Sequence, residues 1–214
     1  MPIGISLTRI LTSLADIIRG RNYYGRYKKM YKKDLRKIPS IKLVLQITHG
    51  RVLDVGCGIG YLSAIFKDYV GVDINREAIL IASKNTHGDY VIACASNLPF
   101  RSDAFDACIS YDCIEHLEHV EQALAEMARV ANEVVISCVD FSSYYRFFTY
   151  DKSHRWLPTP QDLLLLLKKF FTHVQIFKTS GIFVLPHILN VFLERFLPNQ
   201  VVLKAWRKRS CLEY

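Results

Sequence analysis

The sequence predicts an α/β fold, a mostly parallel sheet with helices on both faces. Three observations carry that expectation. A short apolar run, Val52-Leu53-Asp54-Val55, stops where glycines begin, in Arg51–Gly60 (RVLDVGCGIG). A second apolar run, YVGVDIN, ends on an acid, Asp73. Beyond these, strand-like and helix-like segments alternate along the chain, the pattern of βα units built onto a parallel sheet.

A run apolar on both faces suits a strand buried between layers, and the glycines after it remove the Cβ atoms that hold a ligand away from the backbone. Gly56, Gly58 and Gly60 therefore read as a strand-to-helix turn, with a helix expected over Tyr61–Lys67 whose free N–H groups face a ligand crevice. Glycine-rich turns serve several cofactors, and the neighbouring acids choose among them. A dinucleotide fingerprint wants G-x-G-x-x-G with pyrophosphate at the helix start; this chain has G-x-G-x-G, with Asp54 two residues before the first glycine. That carboxylate repels a pyrophosphate and suits a cation such as the amino group and sulfonium of S-adenosylmethionine. Asp73 lies where a carboxylate takes both hydroxyls of a ribose.

On VLDVGCGIG, VGVDIN, the ASNLPF segment with FDACIS after it, and the following IEH, the chain resembles the class I S-adenosylmethionine-dependent methyltransferases, in particular the type 11 methyltransferase domain. The resemblance covers roughly residues 50–178 and implies a Rossmann-like sheet of seven strands, order 3-2-1-4-5-7-6, with strand seven antiparallel. It implies S-adenosyl-L-methionine as cofactor, with Asp73 on the ribose, Gly56 and Gly58 along the methionine portion, Asp54 supporting the amino end, and Cys57 and Ile74 among the cofactor-binding residues. It departs from the family at Cys94, which stands where an acid ordinarily accepts the adenine amino group; Ala95 then offers its N–H, and Ser96 or Asn97 replaces the lost acceptor. Tyr111, ending strand four, is expected beside the sulfonium, by its backbone or its ring, with core packing as the alternative.

The elements expected in order are strands at residues 51–55, 69–72, 90–93, 104–110, 133–139, 173–177 and 201–205, and helices near 61–67, 76–85, 120–131, 160–170 and 187–196. Residues 46–214 read as the catalytic domain and 1–45 as a helical extension. In the extension Leu7, Ile10, Leu11, Leu14, Ile17 and Ile18 recur at helical spacing, and the stretch after Arg19 is basic and rich in tyrosine. A lid or subunit contact is the reading for it, with an anionic membrane surface or nucleic acid as alternatives.

Bulk properties bound these readings. With 214 residues, half of them hydrophobic, there is core enough for one full domain and an extension. The net charge of +8 favours an anionic partner without naming it. Six cysteines without a CxxC pair read as reduced thiols in a cytoplasmic protein rather than as structural zinc ligands. The apolar stretch 180–203 is interrupted by Pro186, Glu194, Arg195 and Pro198 before it reaches a membrane span.

Methyl transfer from a sulfonium needs alignment of the acceptor and, for a protic acceptor, a base. His116, in DCIEHLEH, and His154, in the loop after strand five, are the candidate catalytic residues. Both loops leave carboxyl ends of neighbouring strands, so the two imidazoles are expected to meet above the crevice. Asp112, Glu115 and His116 also resemble an acid-x-x-Glu-His pattern with which some members hold a divalent metal, but the expectation set here is acid–base, with no metal ligand assigned. The aromatic neighbourhood of Tyr144, Tyr145, Phe147, Phe148 and Trp156 suits a flat or lipophilic small-molecule acceptor. The alternatives are an RNA or protein methyltransferase that uses the basic segment, and a catalytically idle S-adenosyl-ligand binder. A homodimer and a peripheral membrane contact stay open as partner expectations.

Overall fold

In the computed structural model, residues 34–142, 154–179 and 200–207 are described, all within one compact unit, Asp34–Tyr214. The expected amphipathic and basic segment through Lys33, the aromatics at 144–148 and the helix at 187–196 lie outside the described residues. Among those described, no helix is long and apolar enough to cross a membrane.

Seven strands form one sheet: β1 Val52–Val55, β2 Tyr69–Asp73, β3 Asp89–Ile92, β4 Phe105–Tyr111, β5 Ala131–Val139, β6 His173–Thr179 and β7 Gln200–Trp206. Their order is β3-β2-β1-β4-β5-β7-β6, and β7 runs antiparallel to both neighbours. This is the expected topology. β1 is buried along its whole length, whereas the edge strand β3 is only partly covered, as apolar centre and mixed edge require.

Among the described residues, four helices accompany the strands: α1 Pro39–Ile47, α2 Arg76–Asn85, α3 Val120–Val130 and α4 Pro160–Leu167. Two of them, α2 and α4, start at a side chain that accepts from their first N–H groups. Asn75 caps α2 by accepting from Glu77 and Ala78 N–H. Thr159 and Asp162 cap α4 reciprocally, as a capping box. Pro39 opens α1, where its missing N–H costs nothing. α3 buries Ala123, Leu124, Met127 and Ala128, the i, i+1, i+4, i+5 stripe that faces the sheet. Leu124, Met127 and Ala128 join Leu53, Val134, Ile136, Leu163 and Leu203 in the continuous core. Truncating Leu124 to Ala removes about 2–5 kcal/mol of that packing.

Two differences from the sequence reading have physical causes. The helix expected over 61–67 is a single 3-10 turn, Tyr61–Ile65, because Gly60 enters it in the left-handed conformation and Phe66 is already extended. No N-terminal helix dipole therefore faces the crevice there. Conversely, α1 was hidden inside a segment read by its basic composition. Its buried residues are Ser40, Ile41 and Val44, and its last carbonyl, on Ile47, accepts from Lys204 of β7 at 2.8 Å.

Candidate functional site

The glycine turn after β1 is tied to β2 by two backbone donors, Gly56 and Cys57 N–H, both reaching the carbonyl of Val72 at 2.8 and 3.0 Å. Gly56 and Gly58 have φ of 80° and 53°, so only glycine adopts the turn without strain. A Cβ on Gly56 would lie 2.0 Å from Cys113 Sγ, while one on Gly58 would meet nothing within 4 Å. One glycine is thus demanded by packing and the other faces open space.

Asp73 ends β2 beside that space. Its Oδ2 accepts from Gly58 N–H and its Oδ1 from Asn75 N–H, each at 2.8 Å. Both oxygens retain a lone pair for further donors, and the carboxylate is held in place by the turn it faces. Ile74 follows it, 71% exposed, and Ile92, the β3 partner of Asp73, is 49% exposed. Large apolar side chains left open at that edge suit a flat aromatic ring.

Asp54 is buried beneath the turn. Its Oδ2 accepts from the Tyr69 hydroxyl at 2.6 Å, while Oδ1 has no hydrogen-bond partner. Burial raises its pKa from 3.8 to about 7, against the Tyr69 hydrogen bond that lowers it. An orphaned buried carboxylate oxygen, an open glycine and an anchored ribose-type acid fit the cofactor expected from the sequence.

The loop between β3 and β4 carries Cys94, Ala95 and Ser96, the residues expected at the adenine. Cys94 and Asn97 form an isolated bridge, Asn97 N–H donates to the Cys94 carbonyl at 3.0 Å, and Cys94 Sγ lies 3.1 Å from Ser96 Oγ. Ala95 packs against the core as a partly buried side chain. What pins this loop was not anticipated. Glu126 of α3 accepts from Leu98 N–H at 2.8 Å, and Arg129 donates to the carbonyls of Phe100 and Leu98 at 2.8 and 3.0 Å. The two side chains also pair at 2.7 Å. An acid and an arginine three residues apart on a predicted helix were the available signal.

The candidate catalytic residues lie on the segments after β4 and β5. The Tyr111 ring turns inward, its hydroxyl 2.5 Å from Ser40 Oγ and its ring edge-on to Tyr61 at 6.3 Å. The side chain is thus buried and tied to α1. Asp112, at φ 48°, accepts from Gln200 at 2.6 Å, and Gln200 also donates to Ser137 Oγ at 2.8 Å. Glu115 is buried in the 3-10 turn Ile114–His116. Burial first, and then the Asp112 carboxylate, push its pKa upward.

The carbonyl of Glu115 accepts from both Arg155 and Trp156 N–H, at 2.9 and 3.2 Å. This latch draws the loop after β5 onto the segment after β4. His116 and His154 consequently lie with ring centroids 4.8 Å apart, tilted by 50°, and Phe141 meets His154 edge-on at 5.3 Å. They line a cavity of about 1040 Å³ whose wall includes Leu117, Val120, Trp156 and Leu166, with Glu118, Glu121 and Arg155 at polar positions. One ligand atom each from Glu115, His116 and His154 fall within 4.8 Å of one another.

Residues 53–134 match the family described as "Methyltransferase domain". The chain is 34% identical over 120 residues to an uncharacterised protein of Methanocaldococcus jannaschii, covering 53% of this chain and 47% of that one. It is 31% identical over 138 residues to an uncharacterised methyltransferase of Mycobacterium leprae, covering 58% and 51%. The chain thus spans about half the length of these curated relatives. An S-adenosylmethionine-dependent methyltransferase from Thermotoga maritima superposes with a TM-score of 0.70 at 20% identity, covering 89% of this chain and 97% of that one. At that identity the likeness speaks for the fold.

Proposed function

We propose that this chain, which belongs to the class I S-adenosylmethionine-dependent methyltransferases through its domain at residues 53–134, transfers a methyl group to a small, lipophilic acceptor. Asp73 would hold the ribose hydroxyls, the Gly56-Cys57-Gly58 turn the methionine portion, and Asp54 the cationic amino end through the turn. Ile74, Cys94, Ala95 and Ser96 would border the adenine, and the backbone of Tyr111 the sulfonium. The bound sulfonium supplies an electrophilic methyl group; the protein's own residues position the acceptor and manage its proton.

The observation that carries the acceptor assignment is the His116–His154 pair, with ring centroids 4.8 Å apart, in a cavity lined by Leu117, Val120, Trp156 and Leu166 together with Glu118, Glu121 and Arg155. Two imidazoles on a wall that mixes apolar and charged side chains suit a small molecule presenting one protic group. A neutral imidazole takes such a proton near physiological pH, and a positioned base contributes roughly 10²–10⁴-fold. The cysteine at position 94 is exposed, leaving room at the adenine edge for a neutral in place of an acidic acceptor.

The test is incubation of the protein with methyl-labelled donor and separate panels of phenols, amines, lipids and RNA. Label in a small molecule, lost by roughly 10²–10⁴-fold in His116→Ala and His154→Ala, is the expected result. Label in RNA with steep salt dependence would move the function to nucleic acid. Donor binding without turnover on any panel would make the chain a ligand-binding scaffold.

A further inference from the structure

We propose that the acceptor is an amine, bound through its nitrogen between the carboxylate of Glu115 and the imidazoles of His116 and His154. The proposal rests on the small-molecule assignment above and narrows the protic group to nitrogen. One polar atom from each of the three side chains lies within 4.8 Å of the other two. A triangle of that size has a point no more than about 2.8 Å from every corner, a distance within the range of an N–H···O hydrogen bond. An ammonium group carries several N–H donors in tetrahedral directions, so it can address the corners together. The backbone holds them in place: Arg155 and Trp156 N–H, immediately after His154, donate to the carbonyl of Glu115 itself at 2.9 and 3.2 Å.

The independent observation is Glu115. It is 1% exposed, and its Oε2 is buried without a hydrogen-bond partner. A carboxylate oxygen left unmet in a protein interior is costly and calls for a donor. Burial, and then the charge of Asp112, push the Glu115 pKa upward, and a bound cation offsets both causes. Among the described residues no lysine or arginine side chain pairs with Glu115 or Asp112. On the rest of the cavity wall the charges are matched: Glu121 pairs with Lys169 at 2.9 Å, and Arg155 lines the same cavity as Glu118. The uncompensated negative charge therefore lies at the two histidines, both of which line the cavity. That charge discriminates between acceptors. A hydroxyl gains anionic character as it loses its proton, which two neighbouring acids oppose. An amine turns cationic as the methyl group arrives, so a carboxylate beside it stabilises the charge that develops in the transition state.

The amine enters as an ammonium ion, and one imidazole takes a proton from its nitrogen. The freed lone pair attacks the methyl carbon. An N–C bond forms while the S–C bond breaks, and the electron pair of the broken bond stays on sulfur as a neutral thioether. The methylated nitrogen now carries the positive charge beside Glu115, and the imidazolium returns its proton to solvent water. His116 and His154 keep their role as bases, and Glu115 binds and orients the nitrogen.

The experiment titrates full-length protein, saturated with S-adenosylhomocysteine, with amine and alcohol pairs that differ only in the end group: phenethylamine against phenethyl alcohol, and hexylamine against hexanol. Calorimetry should show an amine binding at least about tenfold tighter than its alcohol, and methyl-labelled donor should place its label on nitrogen. Glu115→Gln should weaken the amine by about ten- to a hundredfold, the loss of one charged hydrogen bond, while the alcohols and S-adenosylhomocysteine bind as before. Amines that bind no tighter than their alcohols overturn the proposal, as does a Glu115→Gln protein that binds S-adenosylhomocysteine normally and the amine undiminished. Label on oxygen or carbon of a small molecule overturns the amine and keeps the small-molecule acceptor; label in RNA alone overturns both. If Glu115→Gln loses S-adenosylhomocysteine as well, the contrast between amine and alcohol in the wild type decides by itself.

Discussion

Replacing Tyr69 by Phe tests how the fold tolerates a carboxylate beneath the cofactor turn. The ring stays and keeps its edge contact with Tyr90, whose centroid is 6.0 Å away, so the change removes one hydroxyl and little packing. That hydroxyl is the 2.6 Å donor to Asp54 Oδ2, and Oδ1 is already unpartnered. Leaving a buried acceptor unmet costs roughly 1–3 kcal/mol. At about 2–4 °C per kcal/mol for a chain of this size, the melting temperature should fall by roughly 2–12 °C.

The sign of the pH dependence follows from the raised pKa of Asp54. The unfolded carboxyl ionises near 3.8 and the folded one at about 7, so between these values the folded chain holds the extra proton. Stability from this group is therefore present at low pH and lost as pH rises towards about 7. The Tyr69 hydrogen bond favours the ionised form, so without it the loss continues to higher pH. Thermal unfolding of both proteins at about pH 5 and about pH 8.5 should show the larger deficit in the variant at the higher pH. Equal deficits, or none, would refute the reasoning that a buried, Tyr69-held carboxylate sits under the turn.

Three further substitutions probe the site from other sides. Gly56→Ala places a methyl at φ 80° against Cys113 Sγ, 2.0 Å from the new carbon; it should cost about 1–3 kcal/mol in a thermal melt and cofactor binding with it. Arg129→Met releases the carbonyls of Leu98 and Phe100 and should weaken S-adenosylhomocysteine by about tenfold or more in a titration, since hydrogen bonds to charged groups are worth roughly 1.5–3 kcal/mol. Cys94→Asp puts a charged acceptor at an exposed position and should tighten or preserve the cofactor; a large loss in a folded variant would place the adenine elsewhere.

The glycine turn after β1 and the acid closing β2 were legible because their chemistry is local. Glycines that need positive φ and an acid closing an apolar run are readable along the chain, and Arg76–Asn85 emerged as the helix its periodicity announces. The approach of His116 to His154 was legible by topology, since both loops rise from the same end of adjacent strands. What escaped was contact between distant segments. Tyr69 reaches Asp54 across 15 positions, Arg129 reaches Leu98 across 31, and Tyr111 reaches Ser40 across 71; no period encodes such pairs. Tyr61–Ile65 misled because an apolar run after glycines looks helical, while the backbone had room for one 3-10 turn before Phe66 turned into the next strand. Helix α1 escaped because lysines and arginines around it masked the spacing of Ile41 and Val44.

Calorimetric titration of S-adenosylmethionine and S-adenosylhomocysteine into the wild type and Asp73→Ala bears most directly on the central claim, a cofactor held at the carboxyl ends of β1 and β2. Both ligands should bind the wild type at one site per chain, with NAD and ATP not taken up. Hydrogen bonds to a charged group, worth roughly 1.5–3 kcal/mol, set the expected loss in the variant at about ten- to a hundredfold. A folded wild type that binds neither ligand, or a variant that binds as well as the wild type, would contradict it.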